Sequence, residues 1–276
     1  MSYSRHIKSG SRRRERKREV FLVRSGLIVL LLLFVLFGLI YLSRLAKFQI
    51  NQITIEGNSV TSESDIKEII NENISGLYFK MFPKKNSLIY PKNRLEGVLM
   101  EEFRRISNVK LSVKDFQRLH IIITERKPDS LWCGTDMGLE YEECYFVDYN
   151  GLIYSKAPNF SGNVFLRTYG TVGNSNPINS HYLAVSEYKN LFFLKNILES
   201  YEREVVSAVK LESRDMEIWF ADDSKLIYNL DQDVLKLSDD IVSIFKSNEF
   251  KESLLNEGAL DYVDMRFGNK VYYKFK

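Results

Sequence analysis

The chain has 276 residues, with 39 Lys and Arg against 36 Asp and Glu, a formal net charge of +3. That length holds one large domain or two ordinary ones, and it buries a core that needs no disulfide framework. Charged residues at 27% and hydrophobic ones at 45% exclude global disorder, collagen-like repeats and disulfide-dense scaffolds.

The charge is unevenly placed. Residues 1–24 carry nine basic side chains (Arg5, Lys8, Arg12, Arg13, Arg14, Arg16, Lys17, Arg18 and Arg24) against Glu15 and Glu19, a net of +7. The remainder is then −4. No aromatic residue lies among these Arg and Lys before Phe21, so the tail lacks the stacking groups of a nucleic-acid binder. From Ser25 to Ser43 there is no charge, and nineteen such residues in a helix cover about 28 Å, close to the ~30 Å hydrocarbon core. A membrane span is expected over 25–43. The basic excess ahead of it places the N-terminus in the cytoplasm. A cleaved signal peptide is the rival, but Ser43-Arg44-Leu45-Ala46 puts Arg44 where a small residue is needed. The basic tail is suited to anionic lipid.

Beyond the span, Phe48–Glu56 alternates apolar and polar residues and reads as a half-buried strand. Gly57-Asn58 is a turn. Thr61–Ile70 opens a helix capped by Thr61 or Ser62, with Ile66, Ile69 and Ile70 on its apolar face. Gly76–Phe82 reads as a loop with buried aromatics. Pro91 starts a second helix running to about Phe103. Ile106–Val113 and Leu119–Glu125 are strands. This strand–helix–helix–strand–strand order makes an α+β unit over 48–127.

Residues 128–276 are richer in strands. Short ones are expected at Ser130–Cys133, Cys144–Asp148, Ile153–Tyr154 and Asn163–Tyr169, with a hairpin turn at Asp148-Tyr149-Asn150-Gly151. A long amphipathic helix follows over 180–201. Strands at Val205–Leu211, Met216–Phe220 and Lys225–Asn229 come next, then a helix at Gln232–Lys246. Leu260–Phe267 and Lys270–Phe275 pair across Gly268-Asn269. The whole is expected to be α+β: an N-terminal transmembrane helix, the small unit, then a mixed α/β domain on a largely antiparallel sheet.

The three His (His6, His120, His181) and two Cys (Cys133, Cys144) form no zinc-ligand spacing. No phosphate loop, dinucleotide fingerprint or nucleophile elbow is present. The carboxylates at Glu140–Glu143 and Asp222-Asp223 read as solvated turns. No catalytic residue, cofactor or metal is expected. Cys133 and Cys144 flank a hairpin outside the cytoplasm, where either a disulfide or two buried thiols would fit.

The tail, the span and Phe48-Gln-Ile-Asn-Gln-Ile-Thr-Ile-Glu-Gly-Asn58 together resemble the bacterial divisome proteins of the FtsQ/DivIB family. Ile123-Thr-Glu-Arg-Lys-Pro128 is similar to the family's "ERxP" signature, here Glu125, Arg126 and Pro128. Phe146-Val-Asp-Tyr-Asn-Gly151 is similar to its "VDxxG" turn, here Asp148 and Gly151. Tyr262-Val-Asp-Met-Arg-Phe267 is similar to its "iDlR" strand, here Asp264 and Arg266. The likeness covers nearly the whole chain. It departs at Gly134–Glu143, a longer and more acidic connection than the usual one, and at the Asn- and Gly-rich Tyr169–Asn179, which matches nothing in the pattern.

The resemblance implies a POTRA domain at 48–127 and a β domain at 128–276. It implies a non-enzymatic scaffold at the division septum, a single-pass protein with most of its chain outside the cytoplasm. Its partners would be FtsB/FtsL-like single-pass coiled-coil proteins, with other divisome components reached through the POTRA domain and the membrane helix. The terminal strand Lys270–Lys276 carries three aromatics and three lysines. Its lysines protect an edge from aggregation, and its edge also suits strand addition by a partner. The expected partner-binding residues are Phe267, Tyr272, Tyr273 and Phe275. Glu125, Arg126 and Pro128 are expected to organise the domain junction, with Pro128 ending a ladder because it lacks an N–H, and Asp264 to pair with Arg266. Two alternatives stand beside this reading. One is a sortase-like envelope enzyme using Cys133 or Cys144 with His120; the other is a POTRA chaperone module for envelope assembly.

Overall fold

The computed structural model describes residues 10–138, 143–256, 258–268 and 270–276, with side chains from Lys17 onward except at position 256. Arg5, His6, Lys8, the core of the Glu140–Glu143 cluster and Asn269 therefore lie outside the described residues. The first helix, α1, runs Gly10–Ser43, and an 18-residue window within Lys17–Ser43 has a mean hydropathy of 2.8. It is long and apolar enough to cross a membrane. The helix begins well before the expected span, because an Arg- and Lys-rich sequence is a good helix former even where it is not apolar.

The chain divides into two compact units, residues up to Glu102 with Asn108–Thr124, and Phe103–Ser107 with Glu125–Lys276. In the first unit a short 3-10 turn at Ala46–Phe48 leads into β1 (Gln52–Glu56). There follow α2 (Glu63–Ile74), a small hairpin of β2 (Leu77–Tyr78) and β3 (Phe82–Pro83), α3 (Lys92–Glu102), β4 (Ile106–Lys114) and β5 (Arg118–Glu125). The sheet order is β1-β5-β4, with β1 parallel to β5. Parallel neighbours need a crossover, and α2 and α3 supply it. Ile66, Ile70 and Ile74 of α2, Leu95 and Leu99 of α3 and alternate residues of β4 and β5 are buried.

Two local expectations change. Ser62 stands at the N-cap, but its hydroxyl hydrogen-bonds the Ser64 hydroxyl (2.6 Å), so it does not cap. Gly76–Phe82 is a hairpin, and its tip residue Phe79 is 86% exposed, where a buried aromatic was expected. A two-strand hairpin has no second face to bury both sides of its ring-bearing tip.

The second unit is built on a nine-stranded sheet of order β14-β13-β12-β11-β10-β9-β6-β7-β8. Its strands are β6 (Ser130–Trp132), β7 (Tyr145–Val147), β8 (Ile153–Lys156), β9 (Leu166–Tyr169), β10 (Val205–Lys210), β11 (Asp215–Phe220), β12 (Lys225–Asn229), β13 (Leu260–Phe267) and β14 (Lys270–Phe275). Helices α4 (Val185–Ser200), α5 (Val234–Lys246) and α6 (Asn248–Asn256) complete it. The sheet is mixed: β6–β9, β9–β10 and β12–β13 are parallel, and the other pairings are antiparallel.

Tyr188, Leu191, Leu194 and Leu198 of α4 and Leu237, Ile241 and Phe245 of α5 pack on Val147, Ala208, Met216, Ile218, Leu226, Val263 and Met265 of the sheet. The side chains of α5 recur at helical spacing, and Asp233 caps it by accepting from the Leu235 and Lys236 N–H groups (2.8 and 3.2 Å). At the β6–β10 end, a second cluster of Leu131, Phe146, Tyr154, Tyr169 and Val209 closes with Phe160 and Phe165. Arg105 lays its guanidinium on Phe146 and Tyr154 and donates to the Ser155 hydroxyl (3.1 Å).

The expected motif residues Arg126, Asp148 and Gly151 come together here. Asp148 is fully buried and ion-paired with Arg126. Its other oxygen accepts from the N–H groups of Asn150 and Leu152 (2.9 and 3.1 Å), which fixes the turn. Gly151 has φ +80°, and a Cβ there would lie 3.0 Å from the Tyr188 ring, so only glycine fits. Arg126 also bonds back along the chain: its N–H donates to the Arg105 carbonyl (2.7 Å) and its Nε to the Arg104 carbonyl (3.1 Å). These bonds group Phe103–Ser107 and Glu125 with the second unit, so the first ends at Thr124, three residues before the expected 127. Pro128 follows directly between β5 and β6, consistent with a residue that cannot donate to a ladder.

Cys133 and Cys144 are joined by a disulfide. They extend the Trp132–Tyr145 pair of β6 and β7 by one step, which brings the two residues opposite each other at the base of the acidic hairpin.

Arg126→Met is expected to destabilise the chain by about 3 kcal/mol in chemical denaturation, because it strands the buried Asp148 carboxylate. Adding Asp148→Asn in the same chain is expected to recover part of that loss. A single variant as stable as the parent would show that the pair does not hold the turn.

Candidate docking edge

A sheet that does not close has two edges, and this one treats them differently. At β8 the edge is covered where the strand begins. Ile153 N–H donates to the Ser180 carbonyl (2.9 Å), Asn179 N–H donates to the Ile153 carbonyl (2.8 Å), and Leu152 bridges His181. Tyr182 N–H adds a bond to the Gly151 carbonyl (3.0 Å). The segment that matched nothing in the sequence comparison, Tyr169–Asn179, thus ends as the cover of this edge. It also explains why α4 starts at Val185 and not at 180: residues 180–182 are committed to the edge, Leu183 enters the core and Ala184 is the N-cap.

At the other end, β14 pairs only with β13, and among the described residues no strand lies beyond it. Its side chains alternate between the two faces. Tyr273 and Phe275 face the helices. Tyr273 meets Phe250 of α6 edge-on at 5.3 Å, and Phe275 lies 6.2 Å from the same ring. Phe275 is half-buried against the main core, so of the four expected docking aromatics it is a packing residue. Tyr272 lies on the opposite, helix-free face. It is 49% exposed and meets Phe267, 56% exposed, edge-on at 5.2 Å.

Beneath this aromatic pair sits an ion network. Arg266 forks onto Asp264 (Nε to Oδ1 2.9 Å, Nη2 to Oδ2 2.6 Å) and donates through Nη1 to Asp215 (2.9 Å). Asn229 Nδ2 donates to the other Asp215 oxygen (2.7 Å), and the Ser213 hydroxyl adds a further bond (3.0 Å). The expected Asp264–Arg266 pair is therefore present. Asp215 and Asn229 were not expected as its partners, since they stand 51 and 37 positions from Arg266 in the sequence and only the β11–β12–β13 register brings them together. Burial pushes both carboxyls up, but the bonds from Asn229, Arg266 and Ser213 outweigh it at Asp215, and those from Arg266 outweigh it at Asp264. Both therefore sit below the ordinary carboxylate range. The Arg266 guanidinium also lies 5.7 Å from the Phe267 ring. The network thus holds the exposed aromatic pair on a fixed floor.

α6 was missed by sequence reasoning. Its signals are modest: Ser247 Oγ accepts from the Phe250 N–H (3.1 Å), and Phe250 and Leu254 stand one turn apart on the buried side. Two lysines at the end of the chain bond to neighbouring turns and strands. Lys274 pairs with Asp261 (3.1 Å), and Lys276 donates to the Asp222 carbonyl (3.3 Å).

The sites of the envelope-enzyme alternative are occupied otherwise. Cys133 and Cys144 are bonded to each other, so neither is a thiol nucleophile. His120 is buried and hydrogen-bonds the Thr54 hydroxyl through Nδ1 (3.2 Å). Among the described residues no group of three His, Cys, Asp or Glu side chains is placed to hold a metal ion. The chain matches no protein-family model and no curated protein sequence.

The depressed carboxyls have a pH signature. Their contribution to stability is full above the unfolded carboxyl range near pH 4 and is lost as the pH falls through their lower folded values. Arg266→Gln is expected to cost about 1–2 kcal/mol at neutral pH. The melting temperatures of variant and parent are then expected to converge between pH 7 and pH 3. A gap that stays constant over that range would contradict the network.

Proposed function

We propose that this chain is a non-enzymatic, single-pass membrane scaffold of the bacterial divisome, of the FtsQ/DivIB kind. On this reading α1 spans the cytoplasmic membrane with its basic end inside, and both units lie outside at the septum. The first unit serves as the POTRA domain that positions partners near the membrane, and the second docks FtsB/FtsL-like coiled-coil proteins. A partner strand adds to β14 and places its side chains against Phe267 and Tyr272, with Tyr273 at the rim.

The observation that carries the reading is the asymmetry of the sheet edges. One is closed by the chain's own residues 177–182, while the other is left open beside two exposed rings on an ion-paired floor. An open edge of this kind supplies backbone hydrogen bonds, and the flanking aromatics supply the anchors on which affinity at such sites concentrates. The strand–helix–helix–strand–strand order of the first unit, the turn at Asp148–Gly151 and the Asp264–Arg266 pair on β13 agree with the family pattern and support the same reading.

The test is affinity between the full-length chain in detergent or nanodiscs and a purified FtsB/FtsL-type pair. Phe267→Ala with Tyr272→Ala is expected to weaken binding by about 30-fold, the scale of one anchor pair. These side chains are exposed, so the melting temperature is expected to hold. Unchanged affinity in the folded double variant would refute docking at this edge.

A further inference from the structure

We infer that the first unit rests on the outer surface of the bilayer that α1 spans, through two aromatic-tipped hairpins set among lysines that take anionic phospholipid headgroups. This rests on α1 being the span and is independent of any docking at β14.

The position of these hairpins is fixed by hydrogen bonds to the end of α1. Arg24 and Arg44 bracket the charge-free run of about 28 Å, so Ser43 falls at the headgroup boundary. The Ser43 carbonyl accepts from Gln49 Nε2 (2.6 Å) and from Asn86 Nδ2 (2.8 Å). Arg44 Nη2 donates to the Met81 carbonyl (3.3 Å), and Gln117 Nε2 donates to the Ala46 carbonyl (3.1 Å). The β2–β3 and β4–β5 turns are therefore held at the exit of the helix, each within one side chain's reach of residues 43–46.

Both turns have the same unusual form. Phe79 and Lys80 have φ of 49° and 61°, and Asp115 and Phe116 have φ of 55° and 57°. Met81 N–H closes the first on the Tyr78 carbonyl (2.9 Å), and Gln117 N–H closes the second on the Lys114 carbonyl (3.3 Å). Such turns favour Asn-Gly, and a bulky aromatic is poorly suited to left-handed backbone. A phenylalanine nevertheless stands in that conformation at each tip. Phe79 projects almost wholly into the surroundings, and Phe116, half exposed, meets Phe48 edge-on at 5.7 Å. Leu77, Leu88 and Ile89 add exposed apolar surface beside the first tip.

Charge is segregated to match. Residues 43–50 and 73–95 contain seven Lys and Arg and no acidic residue, and the second turn sets Lys114 and Arg118 beside Asp115, whereas the rest of the chain after residue 24 has 21 basic against 33 acidic. An aromatic and aliphatic fringe among lysines, next to a span, is the composition of a bilayer interface. A solvent-facing surface on an otherwise acidic exterior has no need of it.

The test uses the full chain, reconstituted in phosphatidylcholine vesicles with or without phosphatidylglycerol. The native cysteines are bridged, so a nitroxide can be placed at Leu88→Cys, at Val60→Cys beyond the far end of β1, and at Leu33→Cys within the span. Collision with oxygen and with a water-soluble nickel complex reads depth. The Leu88 label is expected to favour oxygen in anionic vesicles, and the Val60 label to favour nickel. Phe79→Ser in the Leu88→Cys chain is expected to return the label to water without changing the thermal melt. Lys80→Gln with Lys85→Gln, both exposed, is expected to do so in part and gives a second variant should the first fail to fold. A Leu88 label as wet as that at Val60 would overturn the inference, and equal immersion without phosphatidylglycerol would overturn its anionic component. A wet Leu33 label would instead remove the span itself, and the inference with it.

Discussion

Every open sheet must dispose of two rows of unpaired backbone groups. In the second unit that constraint organises what surrounds it. At β8 the chain spends residues 177–182 on covering the edge, which delays α4 until Val185 and leaves Gly151 pressed against Tyr188. The buried Arg126–Asp148 pair stabilises the same end, because Asp148 shapes the turn from which Gly151 and Leu152 reach that cover. At β14 no segment does the equivalent among the described residues. The edge is stiffened from both sides instead, by Phe250 beneath the helix-facing rings and by Asp215, Asp264 and Arg266 beneath the others. A rigid open edge is suited to receiving a strand, since little conformational freedom remains to be lost on binding.

The span imposes a comparable constraint on the first unit. The last carbonyls of α1 would otherwise end without intrahelical partners. Gln49, Asn86 and Gln117 supply three side-chain donors to Ser43 and Ala46 from separate parts of the chain. Helix and unit are joined by side-chain hydrogen bonds as well as by the peptide chain. Charge follows the same geometry: basic residues gather near the span on both sides of it, and acidic ones elsewhere.

Much of this was legible in the sequence. A helix long and apolar enough to cross a membrane was legible from composition. β12, β13 and β14 matched their expected ranges, because alternating residues and the Asp222–Ser224 and Gly268-Asn269 turns bound them tightly. The Asp264–Arg266 pair was readable because its members are two residues apart on one strand. What sequence could not show depends on distant segments meeting. Asp215 joins Arg266 only through the register of three strands. The cover at β8 comes from an Asn- and Gly-rich stretch whose role lies in its backbone. Phe79 was misread as buried because an aromatic between short apolar residues looks like core when its hairpin cannot be seen to stand alone. Phe275 was placed with the docking residues although strand alternation puts it opposite Tyr272, and α6 beneath it was not foreseen.

The central claim is that β8 is a finished edge and β14 an unfinished one. Amide hydrogen exchange of the full-length chain, read residue by residue, compares them directly. The account predicts that Ile153 of β8, bonded to residues 179–180, exchanges slowly, and that outward amides of β14 exchange at least a hundredfold faster while β13 stays protected, a gap of about 2.7 kcal/mol in opening free energy. If every amide of β14 is as protected as those of β8 in the isolated chain, the edge is already closed and the account is wrong.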